Sequence, residues 1–315
     1  MLSLRLHLLI LTVLFAWVHP VALAQGGVVG ILEGKATLVR QAAKFALAEG
    51  VSLQNEDIVE TAPASFVQIE FADGGRVGVG GQSRVLLAPR GPARAAGAVA
   101  PRLYLLQGWI KLSQPADKPA PGDSVTPQFE LAAVSGATIF TSSPKEFAVF
   151  VESGSVKLVE RSNNRPPLQL GAGNFVLARP DDKPTPAARP TREFLDQMPR
   201  PFRDPLPSRA GRFRDNPVTP KALGDVAYDD IAAWLTAEPG LRMPMVERWR
   251  PRLRDKPFRA AMIANLAAHP EWDPWVFPEK AAKKRADEKR AREARAAAAA
   301  AASERAAASA PRAAD

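Results

Sequence analysis

The chain has 315 residues, with 42 Lys and Arg against 33 Asp and Glu and a formal net charge of +9. Its 46% hydrophobic content can build a sizeable core and argues against wholesale disorder. The absence of cysteine excludes disulfides, thiolate metal sites, Cys nucleophiles and acylation at a lipobox. Only His269 of the three histidines lies beyond the first 25 residues, so neither a His-rich metal centre nor a Ser-His-Asp triad is expected in the body.

Residues 1–24 read as a signal peptide. Met1 to Arg5 form a cationic end, Leu6 to Val18 an apolar run, and Ala22-Leu23-Ala24 a small-x-small cleavage pattern before Gln25. The run is short for a membrane span, His19-Pro20 interrupts its end, and no later stretch approaches about 18 apolar residues. The expected location is the bacterial periplasm, with cleavage after Ala24 and no transmembrane span left in the mature chain.

Residues 25–178 read as mainly β, a sandwich or roll of repeated hairpins. In Phe66-Val67-Gln68-Ile69-Glu70-Phe71 the apolar Val67, Ile69 and Phe71 alternate with Phe66, Gln68 and Glu70, the period of a half-buried strand. Asp73-Gly74 then supplies a tight turn into Arg76-Val77-Gly78-Val79. The same phrase of apolar strand, glycine and apolar strand recurs around Gly34, Gly108 and Gly154, and it predicts three more hairpins. The uneven spacing of those glycines argues against a solenoid. Pro89 to Pro101 and the proline-rich Ser113 to Pro127 read as surface loops.

The order Leu53…Asp57-Ile58-Val59…Thr61…Ser65 through Asp73-Gly74 to Ser83 resembles the front half of a FecR-type domain. Phe129 to Val134, Gly136 to Phe140, Phe150 to Leu158 and Leu170 to Asn174 follow the progression of its back half. The resemblance spans roughly Val28 to Ala178 and rests on strands and turns rather than on a catalytic signature. It implies a periplasmic, non-catalytic β domain. Regulators of that family take a signal from an outer-membrane transporter and pass it to a sigma factor. Their cytoplasmic anti-sigma segment and membrane helix have no counterpart in the short cationic stub here, so the resemblance implies a stand-alone binding, relay or scaffolding module of the envelope.

Residues 179–222 hold ten of the thirty prolines and read as an extended linker. Phe194, Leu195, Met198, Phe202 and Leu206 within it are numerous for a pure spacer, which leaves two readings open, a solvated linker and an anchor across the β domain. Residues 223–278 read as a small helical module. Ile231, Trp234 and Leu235 share a face that ends at Pro239-Gly240, Val246, Trp249 and Leu253 form a second stripe, and Asp255 caps a helix with Pro257 in its first turn. Residues 279–315, rich in Ala, Arg and Lys, read as one exposed helix that dissolves into disorder after Arg295.

Trp234, Trp249, Trp272 and Trp275 are the candidate ligand or partner surface. Trp272 and Trp275, with His269, Glu271 and Asp273 nearby, offer a sugar-stacking platform, whereas closing a small helical core is the favoured role for them. One imidazole is too weak a signal for a metal. No P-loop, dinucleotide fingerprint or nucleophile elbow is present, so catalytic, cofactor and metal residues are none and an enzyme is not expected. The positive excess sits in the linker and the tail, each at net +4, while the β region is +1 and the helical module −1. That distribution speaks against nucleic acid and for electrostatic contact of linker and tail with anionic envelope surfaces. An envelope protein or a cell-wall glycan such as peptidoglycan remains as the expected partner.

Overall fold

The computed structural model of the protein describes residues 27–89 and 101–308, apart from 116, 118, 163, 164 and 181. The expected signal peptide and most of the Pro89 to Pro101 loop lie outside the described residues. Thirteen strands fill the first half. They are β1 (Val28–Glu33), β2 (Ala36–Arg40), β3 (Ala43–Ala46), β4 (Ile58–Thr61), β5 (Phe66–Glu70), β6 (Arg76–Val79), β7 (Arg84–Leu87), β8 (Leu103–Ser113), β9 (Ser124–Val125), β10 (Phe129–Ser142), β11 (Phe147–Glu160), β12 (Leu168–Gly171) and β13 (Phe175–Ala178). Then come α1 (Arg192–Gln197), β14 (Lys221–Asp225), α2 (Tyr228–Leu235), α3 (Pro239–Trp249), α4 (Lys256–Ala264), α5 (Asp273–Val276) and α6 (Pro278–Ala308).

The strands form one mixed sheet doubled over into two layers. One layer follows β1, β5, β6, β8, β10, β11 and β13, and the other runs through β7, β4, β2, β3 and β14. The long strands β8, β10 and β11 belong to both. β8 pairs with β7 up to Gln107 and with β6 and β10 from Gly108 onward, and β11 pairs with β13 before Gly154 and with β12 after it. A left-handed glycine sits at each changeover: Gly108 (φ 105°), Gly136 (φ 70°) and Gly154 (φ 75°). A Cβ on Gly136 would stand 2.4 Å from the Ser153 carbonyl oxygen, and one on Gly154 would stand 2.3 Å from that of Ser135, so a side chain fits at neither corner.

This corrects the hairpins predicted around Gly34, Gly108 and Gly154. At Gly108 and Gly154 the strand continues through the glycine, and Gly34 carries the chain between layers, because β1 pairs with β5 while β2 pairs with β3 and β4. Asp73-Gly74 is a hairpin turn as predicted, with Val67 opposite Val79 and Ile69 opposite Val77. The reading of Ser113 to Pro127 as surface loop is corrected at its end. Ser124 and Val125 form β9, between β8 and β10, and Ser124, Val125 and Thr126 are buried.

Period-two alternation sends each strand's residues to two different cores. Leu38, Val59, Val85 and Leu103 point between the layers, where they meet Val67, Ile69, Val77 and Ile110. Their neighbours Val39, Ile58, Leu86 and Tyr104 point outward into a second core with α2 to α5. On the opposite outer face Ile31, Phe66, Ile139, Ala148 and Phe175 make a third core with Phe194, Met198 and Phe202. Both outer faces are therefore covered, one by a helical module and one by a strap, residues 192–213, made of short helical turns joined by irregular links.

The strap settles the two readings of the linker, since Phe194, Met198 and Phe202 are buried while Leu195 is exposed. Beyond it the chain adds β14 to the edge of β3, which brings the helices to the other face. Pro239-Gly240 opens α3 rather than closing the helix before it, as expected of proline at a first helical position. Asp255 caps α4 as predicted, accepting from the Phe258 N–H at 3.0 Å. The tail helix runs on past Arg295 to Ala308, which corrects the expected fraying there; alanine's high helix propensity favours this continuation.

Candidate functional site

The strap face holds the most unusual chemistry. Every residue of β5 is buried, although a strand facing one core needs only alternate burial. Val67 and Ile69 face the interior, and Phe66, Gln68 and Glu70 lie under the strap. Thr191 starts α1 by accepting from the Phe194 N–H at 3.2 Å, which seats the Phe194 ring 5.1 Å from Trp109 and 5.0 Å from Phe175. Phe202 then inserts edge-on against Phe66 with centroids 6.1 Å apart. It lies over Gly78, where a Cβ would come within 3.2 Å of both rings, and Pro199 lies over Gly80, where a Cβ would sit 2.8 Å from the proline ring. Gly78 and Gly80 thus make room for an aromatic ring and a proline.

A polar row on the sheet grips the strap by its backbone. Lys111 Nζ donates to the Phe202 carbonyl at 2.5 Å, Arg76 Nη1 to that of Leu206 at 2.7 Å, and Gln68 Nε2 to that of Pro207 at 2.9 Å. Glu70 accepts in the other direction, from the N–H of Arg209 at 2.7 Å, from the N–H of Ala210 at 3.3 Å and from the Ser208 hydroxyl. Burial pushes the Glu70 carboxyl up, but these donors and Gln68 outweigh it and hold the group below the usual carboxylate range. Lys111 also pairs with Glu152 at 2.7 Å.

The strap does not fill its bed. A cavity of about 500 Å³ lies between Gln68, Arg76, Lys111 and Glu152 on the sheet and Phe202 to Leu206 above. Another of about 840 Å³ lies beside Trp109 and Glu146, under Gln197 to Pro201.

The four tryptophans do not form a surface, which corrects that expectation. Trp234, Trp249 and Trp272 are fully buried, and Trp275 alone is exposed, at 43%, with the Arg250 guanidinium 4.3 Å from its ring. Trp234 Nε1 donates to Glu60 at 2.9 Å and Trp249 Nε1 to the Gln41 carbonyl at 3.0 Å, so these rings bolt the helices to the sheet. Arg248 joins them by donating to the carbonyls of Val39, Gln41 and Glu56, and burial pushes its guanidinium down to about 10. His269 is buried beside Tyr228, and burial lowers its pKa against the pull of the Glu271 carboxylate. Among the described residues no three His, Asp or Glu side chains gather as a metal site requires. No described helix is long and apolar enough to cross a membrane.

The residues that carried the family resemblance are structural. Asp57 takes two hydrogen bonds from Arg40 (2.9 and 2.6 Å) and one from the Gln54 N–H at 2.7 Å. Thr61 Oγ1 donates to the Gly80 carbonyl at 2.6 Å and accepts from the Ser83 N–H at 2.9 Å, while Ser83 Oγ accepts from the Trp109 N–H at 2.9 Å. Sequence reasoning missed the site itself, Gln68, Glu70, Arg76 and Lys111. The available signal was the polar side of β5 opposite an apolar-rich proline segment.

The family model described as FecR protein matches residues 57–157, from the start of β4 into β11. Two crystal structures of a candidate anti-sigma factor from Parabacteroides distasonis ATCC 8503 are similar at 12% and 14% identity, with TM-scores of 0.34 and 0.33. Each match covers 42% of this chain and 59% of that one, so the chain spans less than two thirds of those structures. No curated protein matches the sequence.

Proposed function

Because residues 57–157 carry a FecR domain, we propose that the chain is a regulatory module that binds a protein partner in the periplasm and performs no catalysis. The observation that carries this reading is the row Gln68, Glu70, Arg76 and Lys111, which holds a peptide segment, one 3-10 turn at Arg200–Phe202 and an irregular run over 205–209, by its main-chain groups. Such a row recognises polypeptide, since carbonyl acceptors and N–H donors are what a main chain offers. The leader, cleaved after Ala24, delivers the domain to the envelope, and the basic segments at 179–222 and 279–315 favour contact with anionic surfaces there. The glycan alternative drew on Trp272 and Trp275 as a joint stacking platform, and the burial of Trp272 removes that argument.

Co-sedimentation of the chain from Gln25 onward with isolated cell-wall sacculi, at low and high salt, tests the reading. The expected result is no binding, or binding lost at high salt as screening removes the contribution of the basic segments. Binding that survives high salt would overturn the protein-partner reading in favour of glycan or wall-peptide recognition.

A further inference from the structure

We propose that the bed under the strap is a docking groove for a segment of the partner protein that takes one helical turn and then runs without regular structure, and that residues 199–210 occupy it in cis as a displaceable ligand. The seated segment shows what the groove reads. Lys111, Arg76 and Gln68 take the carbonyls of Phe202, Leu206 and Pro207, and Glu70 takes the N–H groups of Arg209 and Ala210. Five main-chain contacts are blind to side-chain identity. Selectivity comes from the slot over Gly78, which takes one aromatic ring edge-on to Phe66, and from the prolines at 205 and 207, which fix the backbone φ and have no N–H donor. The partner segment therefore carries an aromatic residue followed by prolines three and five positions later, ahead of a short polar stretch.

Two observations make the cis segment displaceable rather than permanent. It joins no strand pairing among the described residues, so lifting it breaks no ladder. Cavities of about 500 and 840 Å³ border it, space that a better-fitting segment would fill. The tether holds on both sides, through buried Phe194 before it and through β14 on β3 after it, so a displaced strap becomes a loop and the rest of the molecule keeps its contacts. A tethered competitor lowers the groove's apparent affinity by the fraction of time the groove stands open, and a partner must overcome that fraction.

The proposal rests on the protein-partner reading for the nature of the ligand only. Its test contains no envelope component, so a failed groove and a failed reading are told apart. A fluorescent synthetic peptide with the sequence of residues 199–210 is titrated against three full chains: the unmodified one, Phe202→Ala, and Phe202→Ala combined with Arg76→Ala. The expected result is at least tenfold tighter binding to Phe202→Ala than to the unmodified chain, most of it lost with Arg76→Ala. A Phe202→Ala chain with native circular dichroism and no such gain overturns the proposal. Hydrogen exchange on the unmodified chain needs no variant. The Arg209 and Ala210 amides are expected to exchange at least a hundredfold faster than those of β5, and equal protection overturns the proposal. Concentration-dependent dimerisation of the unmodified chain that the peptide competes away would make a second copy the occupant, and would equally overturn it.

Discussion

The two outer faces of the doubled sheet are built from the same alternating strands, yet they are closed in opposite ways. The helical module covers its face with three fully buried tryptophans and with an arginine that spans three carbonyls, one on β2 and two in turns between strands. The strap covers the other face with isolated anchors, Phe194 and Phe202, and a row of long polar side chains, and it leaves two cavities. Large rings exclude water over a wide area and make the first cover part of the core. Hydrogen bonds that involve charged Lys111, Arg76 and Glu70 contribute about 1.5–3 kcal/mol each, but they hold only main-chain groups that any seated segment can supply, which suits the second cover to exchange. Covering a sheet face is therefore compatible with either permanence or release, and the chemistry of the cover decides which.

The largest expected effect breaks the permanent side. Trp234→Ala removes a wholly buried ring and leaves Glu60, whose pKa burial already raises, without its indole donor. Denaturant unfolding should show a loss of about 3–5 kcal/mol, in line with large-to-small substitutions in cores. A loss below about 1 kcal/mol would mean that the helices do not depend on the sheet face. On the strap side, Glu70→Gln should cost about 2 kcal/mol, because both carboxylate oxygens accept and the amide keeps one acceptor while turning an NH2 toward the donors on the other. Because the folded carboxyl titrates below its ordinary value, its contribution is complete above about pH 4.5 and is lost as pH falls through the folded value. The difference in melting temperature between wild type and Glu70→Gln should hold steady near neutrality and shrink in acid.

The difference between the faces also marks what the sequence could reveal. Alternation in β5 and the Asp73-Gly74 turn were readable because both are local, and so was the Asp255 cap. The corner glycines were not. A left-handed glycine between apolar runs looks the same whether the chain reverses or bends through, and the distinction lies in which distant strand pairs with each half. β14 was hidden because all of its residues are exposed and it has no buried face to pattern. The strap was half-legible. Its apolar residues argued for anchoring, but an irregular proline-rich segment has no period, so nothing indicated that Gln68, Glu70, Arg76 and Lys111 would receive it. The tryptophans misled as a surface because spacing along a helix marks a face without saying whether sheet or water meets it.

A smaller effect sharpens the comparison within the helical module. His269 is buried and its folded pKa lies below the ordinary 6.5, so the unfolded chain binds its proton first. Stability is complete above about pH 6.5 and falls as pH drops toward the folded value. Glu271 opposes the downward shift, and Arg242, its ion-pair partner at 3.4 Å, adds to it. Thermal melts between pH 7 and 5 should show a decline that His269→Gln abolishes. A decline unchanged by the substitution would trace the acid sensitivity to a group other than Glu70, whose contribution is complete above about pH 4.5.

The smallest expected effect concerns α6, which covers neither face. Its described side chains beyond Ala281 are exposed, its first turn alone touches the module, through Lys280 to Asp273 at 3.2 Å, and its pairs Lys284–Glu288 and Lys289–Glu293 stand at 3.9 Å in open solvent. Exposed pairs of that kind add at most a few tenths of a kcal/mol to the helix and nothing to the core. Truncation after Ala286 should therefore leave the calorimetric melting temperature within about 1 °C, because no buried area is lost and the transition belongs to the covered sheet. The same truncation should remove helical ellipticity but leave most salt-sensitive retention on anionic vesicles, because residues 287–315 carry a net charge of only +1 and the basic segment 179–222 stays in place. A fall of several degrees would instead show that the helix returns to one of the covers, and the strap face, with its unfilled cavities, is where it would find room.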